Sequence, residues 1–206
     1  MTPARGGSAA VAGLLLAAGA GRRMGGPKAL LRSADGELFV DRAVRMLLGG
    51  GCRSVTVVLG ARADEVRSAA RSLTGDRVDV VVAADWDEGM GATLRAGLDA
   101  LSGAGAVEAA LVHLVDLPDV GAEVVRRVLS AQVGPDGLAR ATYHGGPGHP
   151  VLLGRSHWPG IAAAAVGDRG ARDYLADRAV LNVECGDLAG GQDLDRPERA
   201  ERPKDH

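Results

Sequence analysis

The sequence predicts an α/β fold on a mostly parallel sheet, and two observations carry that prediction. Short, largely apolar runs, rich in Val, Leu and Ala, recur at residues 11–17, 55–59, 78–83, 109–115 and 179–183, as strands buried on both faces do. Between them apolar residues return at helical spacing. Alternation of this kind requires crossover connections and therefore parallel pairing.

Taken in order, the first strand at 11–17 runs into a glycine-rich stretch. Phe39, Val40, Ala43, Val44, Leu47 and Leu48 then share one helical face, and Gly49, Gly50 and Gly51 end that helix. After the strand at 55–59, Val66, Ala69, Ala70 and Leu73 form a second stripe behind Asp64, read as its N-cap. The strand at 78–83 leads to a third helix marked by Leu94, Leu98 and Leu101. Beyond the strand at 109–115, Val124, Val125, Val128 and Leu129 mark a fourth. The strand at 179–183 comes last. No linker or repeat divides the 206 residues, so a single domain is expected, with its core at about 9–198 and a frayed tail at 199–206.

Composition excludes several function classes. A formal net charge of −2 argues against coating nucleic acid or an anionic membrane. No apolar run approaches the ~18 residues that a membrane span needs. Glycine reaches 31 residues without a three-residue period, which excludes collagen. The aromatics are one Phe, two Trp and two Tyr (Phe39, Trp86, Trp158, Tyr143 and Tyr174), so aliphatic side chains must build the core. Cys52 and Cys185 form no CxxC pair and no disulfide framework, and a reducing cytoplasm is expected. A signal peptide, with Arg5, apolar residues 9–18 and Ala18-Gly19-Ala20 as cleavage site, is the rival reading. All but two of the 24 basic residues are Arg. One exception, Lys204, sits in the tail; the other, Lys28, ends the glycine-rich stretch.

That stretch reads Leu16-Ala17-Ala18-Gly19-Ala20-Gly21-Arg22-Arg23-Met24-Gly25-Gly26-Pro27-Lys28. A glycine-rich turn leaving a parallel strand exposes successive backbone N–H groups, which can cradle phosphate. It is neither of the usual phosphate loops. Met24 stands where the dinucleotide fingerprint needs its third glycine, and Pro27 separates Gly26 from Lys28 where a Walker loop needs them adjacent. Asp116 lies where the apolar strand at 109–115 runs out, the edge at which open α/β sheets bind ligands. A carboxylate there can hold Mg²⁺, or it can simply initiate the turn before Pro118. Asp195, or Asp193, is the candidate second ligand; a helix cap before Pro197 is the structural alternative for Asp195. Arg22 and Lys28 would bracket a polyphosphate, with Arg23 either joining them or solvated. Gly91, Ala92 and Thr93 open the third helix, whose N-terminus favours an anionic acceptor. His113, His144, His149 and His157 fit no usual zinc spacing. His149, between Gly148 and Pro150, is read either as a loop residue facing the acceptor or as structural.

Residues 16–31 resemble the LAAGxGxRMGxPKxLL signature of the molybdopterin nucleotidyltransferase-like family, and most nearly its CTP:molybdopterin cytidylyltransferase branch. Further segments resemble that branch in order: residues 89–98 its GMxxSLRAGL, 114–118 its GDMP turn, 148–151 its GHPV, 167–172 its GDxGAR and 193–198 its DIDTPE. Val115, Thr93, Arg196 and Arg199 depart from the pattern. The resemblance implies a Rossmann-like three-layer sandwich of the nucleotide-diphospho-sugar transferase type. It implies a Mg²⁺-dependent transfer of CMP from CTP to a phosphorylated acceptor such as molybdopterin, with release of pyrophosphate. Leu16, Ala17, Ala18, Gly19 and Gly21 would then read the nucleotide. Arg22, Lys28 and Asp116 would be catalytic, Asp116 with Asp195 would hold the metal, and Gly91, Thr93 and His149 would meet the acceptor. A molybdoenzyme or its chaperone would be the partner, with no nucleic acid and no membrane involved. Two alternatives stay open. The same signature occurs in NAD(P)-dependent oxidoreductases of nitrogen heterocycles, the nicotine blue oxidoreductase type, and the chain could also be a non-catalytic carrier of molybdenum cofactor.

Overall fold

In a computed structural model the chain is described over residues 10–103, 107–131 and 134–193. One seven-stranded sheet organises it. The strands are β1 (Val11–Ala17), β2 (Ser54–Leu59), β3 (Val78–Val82), β4 (Ala109–Leu114), β5 (Leu138–Tyr143), β6 (Gly146–Gly154) and β7 (Leu181–Glu184), in the order β3-β2-β1-β4-β6-β5-β7. β1, β2, β3 and β4 pair in parallel, with Leu16 opposite both Val58 and Leu114. β6 runs antiparallel to β4 and to β5, and β7 is parallel to β5. The sheet is the mostly parallel one expected, with one reversed strand.

Alternation of side chains along each strand builds a core on either face. Leu15, Ala17, Val57 and Leu111 pack on one side against helices α1 (Phe39–Gly50), α2 (Ala63–Ala69) and α4 (Ala122–Leu129). Leu14, Leu16, Val58 and Val112 pack on the other against α3 (Met90–Gly103), α5 (Trp158–Ala164) and α6 (Arg172–Ala176). This is the expected three-layer sandwich. The α1 stop falls as read: Gly51 takes a left-handed φ of 116°, and the Cys52 N–H donates to Leu47 O at 3.1 Å.

Several expectations need correction. Residues 78–83 and 179–183 were expected as buried strands, but β3 and β7 are the sheet edges, and Val82 and Leu181 are each 49% exposed. Arg62, not Asp64, caps α2; Asp64 sits in its first turn, where a carboxylate still meets the positive helix end. The β5–β6 hairpin lay in a stretch with no strand assigned. Its turn is tied to β7 by the Glu184 carboxylate, which accepts from Gly186 N, the Thr142 hydroxyl, His144 N and Gly145 N. Those donors, Gly186 first and Thr142 second, hold its pKa down at about 2.

The α1–α4 contact gives a test in which two rules predict opposite signs. Gly50 is buried in the last turn of α1, where a Cβ would overlap Cγ1 and Cβ of Val125. Helix propensity alone says that Gly50→Ala gains up to about 1 kcal/mol. The packing says it loses, because overpacking of this kind costs about 1–3 kcal/mol. Urea unfolding of G50A should show a lower midpoint at an unchanged m-value; a higher midpoint would mean that the two helices do not approach this closely.

Candidate active site

The loop leaving β1 is shaped by backbone geometry. Met24 N and Gly26 N both donate to Gly21 O, at 2.8 and 3.3 Å, and close a short 3₁₀ turn over Arg22–Met24. Gly21 sits at φ 57°, and a Cβ there would overlap Gly26 O, so no other residue suits the position. Buried Pro27 starts a second 3₁₀ turn, Lys28–Leu30, which directs the lysine back across the sheet edge.

The lysine meets Asp116. Lys28 Nζ donates to Asp116 Oδ2 at 2.8 Å, and the two side chains are only 19% and 18% exposed. Asp116 lies two residues beyond β4, and the Val115 N–H donates to Leu16 O at 3.2 Å, extending the β1–β4 ladder. Arg42 on α1 fixes the turn by donating to Pro118 O at 2.8 Å. Asp119 Oδ2 accepts from Gly190 N and Gly191 N, at 2.8 and 2.9 Å. The chain after β7 is thereby tied to the turn that carries Asp116. Asp193, exposed, follows two residues later; Asp195 lies outside the described residues.

A cavity of about 440 Å³ opens at this edge, within the range of small-molecule sites. Of the residues singled out in the sequence, Leu16, Ala17, Gly19, Gly21, Arg22, Lys28, Thr93 and Asp116 line it. Three others do not. Ala18 is buried, and its Cβ would lie 2.8 Å from one placed on Gly60. Gly91 is a packing position: a Cβ there would stand 2.7 Å from Ala165 O and 2.9 Å from Val166 N. His149 is half-buried beside the cavity, with its carbonyl accepting from the Tyr143 hydroxyl at 2.7 Å. Burial pushes its imidazole down to about 4, with Asp116 opposing that shift and Arg172 adding to it. His113, fully buried on β4, is pushed down to about 3 by burial and then by His149, and its Nδ1 finds no partner among the described residues. Among the described residues no three His, Cys, Asp or Glu side chains form a metal-binding group. The Cys52 thiol is pushed up to about 12 by burial, which makes it a poor nucleophile.

Sequence reasoning missed Trp86, Asp87, Met90 and Asp168, all of which line the cavity. Two signals could have found them. Trp86 and Asp87 immediately precede the motif at 89–98, and Asp168 belongs to the one at 167–172. The two motifs touch: Gly89, at φ 114°, leaves room for Asp168, whose Oδ1 would be 2.6 Å from a Cβ at that position.

Comparison with known proteins accords with this geometry. Residues 13–183 match the model of the MobA-like NTP transferase domain, a span that includes Lys28, Asp116 and Asp168. The chain belongs to the MobA-like NTP transferase family. It is 38% identical over 202 residues to the nicotine blue oxidoreductase of Paenarthrobacter nicotinovorans, covering 93% of this chain and 95% of that protein. Among solved structures it is similar to Rv0371c of Mycobacterium tuberculosis H37Rv, with TM-score 0.76 and 26% identity over 92% of this chain and 94% of that one. A complex of the same mycobacterial protein with manganese aligns at TM-score 0.68 and 26% identity, over 85% and 88% of the two chains. Family membership places this chain among the nucleotidyltransferase-type domains that the family model describes. No helix among its described residues is long and apolar enough to cross a membrane.

His113 and His149 predict an acid-side loss of stability. Both keep their folded pKa below the ordinary 6.5, so the unfolded chain binds more protons as pH falls from about 6.5 towards 4. Their contribution is fully present above pH 6.5 and is lost progressively through that window. Tm should therefore fall between pH 7 and 4.5. His113→Leu, which removes one titrating group, should flatten that slope, and an unchanged slope would show that His113 is accessible to protons in the fold.

Proposed function

We propose that this chain is a divalent-metal-dependent nucleotidyltransferase that moves CMP from CTP onto the phosphate of a molybdopterin-type acceptor and releases pyrophosphate. The observation that carries the reading is the Lys28–Asp116 ion pair at the carboxyl edge of the sheet, inside a cavity rimmed by the glycine-rich loop. Among the described residues, Asp87, Asp116 and Asp168 outnumber Arg22 and Lys28 along the walls, so a triphosphate would be helped in by additional positive charge. These are hard oxygen donors, and no Cys or His among the described residues lines the cavity, which suits Mg²⁺ or Mn²⁺. Asp116, with Asp195 or Asp193, would hold that cation, which when bound neutralises phosphate oxygens.

The residues do the rest by position and charge. An incoming triphosphate takes Lys28 Nζ from Asp116 and leaves the carboxylate free for the cation. Arg22 and Lys28 then balance the charge that builds on the leaving pyrophosphate. Backbone groups of Leu16, Ala17 and Gly19 would face the nucleoside, and Thr93 would lie towards the acceptor. An anionic oxygen of the acceptor phosphate attacks the α-phosphorus in line while the α–β bridging P–O bond breaks. The attacking oxygen carries no proton, so no general base and no protein nucleophile are needed. The product would pass to a molybdoenzyme or its chaperone.

Asp116→Asn should abolish pyrophosphate release while leaving Tm within a few degrees, because the pair is part-exposed and worth little to the fold. Wild-type turnover in that variant at saturating Mg²⁺ would overturn the metal assignment. Lys28→Ala should cost ~10²-fold or more in rate, as the loss of one electrostatic donor does. Lys28→Arg should fall nearer to Ala than to wild type, because a compact ammonium is seated where a planar guanidinium needs more room. CTP with Mg²⁺ should raise Tm more than GTP does, and the reverse order would move the base preference away from cytosine.

The 38% identity to a nicotine blue oxidoreductase favours a second reading, NAD(P)H-dependent reduction of a nitrogen heterocycle. The loop argues against it. A dinucleotide site needs a helix N-terminus directly after the glycines, whereas here the first α-helix starts only at Phe39. Stabilisation by NADPH without metal, and none by CTP with Mg²⁺ or Mn²⁺, would reverse the order of the two readings.

A further inference from the structure

The cavity is lined from both faces of the sheet. The glycine-rich loop brings Arg22 and Lys28, and the residues after Lys28, Ala29 and Leu30, pack on the α1 side; Trp86 and Met90 pack on the α3 side, with Asp87 next to them in the chain and Asp168 against Gly89. Phosphate is drawn to the loop cations and repelled by the carboxylates of Asp87 and Asp168. Trp86 is seated by shape: a Cβ at Gly60 would lie 2.5 Å from Trp86 Cβ and Cγ, so the missing side chain makes room for the indole base. The ring is part-exposed to the cavity in a chain that has only two Trp. The other tryptophan is spent on the core. Trp158 is 2% exposed and its Nε1 donates to Leu153 O at 2.9 Å.

We propose that Trp86 is the stacking platform for a planar amino-substituted nitrogen heterocycle, whose N–H edge is met by the carboxylates of Asp87 and Asp168. Every flat heterocycle offers a π-face to an indole, so stacking tolerates any base. The two carboxylates add selectivity, because an ionised carboxylate accepts hydrogen bonds and offers none. An amino group on the ring is therefore welcome, and a carbonyl in its place is not. Arg22 and Lys28 line the same cavity, as one ligand carrying a heterocycle at one end and phosphate at the other would require. The inference rests on the transferase reading for the phosphate end. Two substrates of that reading carry such a ring, the cytosine of the donor and the pterin of the acceptor.

The test uses probes without phosphate, so that the loop cations take no part. Cytidine, uridine and 6-hydroxymethylpterin are titrated against wild-type protein, Trp86→Ala, Trp86→Phe and Asp168→Asn, with Kd from equilibrium dialysis and Tm measured for each variant. Trp86→Ala should weaken the bound heterocycle by ~5- to 100-fold, and Trp86→Phe should stay within a few-fold of wild type. Asp168→Asn should weaken the amino-bearing ring and leave uridine unchanged. Dependence on Trp86 for the pterin assigns the platform to the acceptor, and dependence for cytidine assigns it to the donor. Either supports the proposal. Equal affinity in wild type and in a folded Trp86→Ala overturns it, as does loss in Trp86→Phe equal to that in Trp86→Ala. Pyrophosphate release from CTP, assayed separately, keeps the two claims apart: turnover without Trp86-dependent binding sinks the platform alone, and Trp86-dependent binding without turnover sinks the transferase reading alone.

Discussion

Parallel pairing of β1 with β4 is the constraint on which the site depends. With Leu16 opposite Leu114, both strands deliver their carboxyl ends to the same edge, and the loops that follow them must share one space. Antiparallel pairing would send the glycine-rich loop and the Asp116 turn to opposite ends of the sheet. Strand direction therefore comes first in the causal order, and the 2.8 Å contact between Lys28 and Asp116 follows from it. The crossover helices enforce the direction, and their packing on both faces keeps water from the strands while leaving the edge open.

Electrostatics at that edge are arranged to be exchangeable. The Lys28–Asp116 pair is 19% and 18% exposed, a middle ground in which neither desolvation nor solvent screening dominates. A fully buried pair would resist separation, and a fully exposed one would hold neither side chain in place. At this depth each partner is oriented by the other and remains available to a ligand of higher charge. The backbone around them is less negotiable: Gly21 is fixed by its left-handed φ of 57°, and the Asp116 turn is held by Arg42 on Pro118 O and by Gly190 and Gly191 on Asp119. Rigid backbone with exchangeable side-chain partners is the arrangement that preorganised charge stabilisation requires.

The central strands were legible because burial on both faces leaves a largely apolar run, and β1 spans the residues that its run marks. The edges were misread because the same pattern extends across their polar residues. Asp79 in Val78–Val82 and Asn182 in Leu181–Glu184 break the runs, as strands with a single neighbour tolerate, yet both still looked like interior strands. The β5–β6 hairpin was hidden by composition: β6 opens with Gly146, Pro147 and Gly148, which read as a loop, and Arg140 and Thr142 interrupt the apolar signal of β5. At the site, residues within one loop could be grouped from sequence alone, hence Gly19, Gly21, Arg22 and Lys28. Trp86 and Asp168 join them only through tertiary packing, as Asp168 fits against Gly89 across a separation in sequence that no local pattern spans.

The same geometry weighs the two activities attached to proteins that this chain resembles. Fold similarity leaves them equal, because one scaffold can host unrelated chemistry in different loops. The loop itself does not. In a dinucleotide site the glycines end in a helix whose N-terminal dipole faces the pyrophosphate. Here Gly21 leads into a single 3₁₀ turn, then Pro27, then a second 3₁₀ turn that ends at Leu30. Without the dipole of a full helix, compensation of phosphate charge would fall, on the proposed transferase reading, to side chains and a cation, and Lys28, Arg22 and Asp116 line the cavity there. A hydride transfer makes little use of a carboxylate beside the phosphates. A phosphoryl transfer needs one, because the cation that offsets the developing charge must itself be held. The Lys28–Asp116 pair thus has a role under the proposed transferase reading and none under the oxidoreductase one.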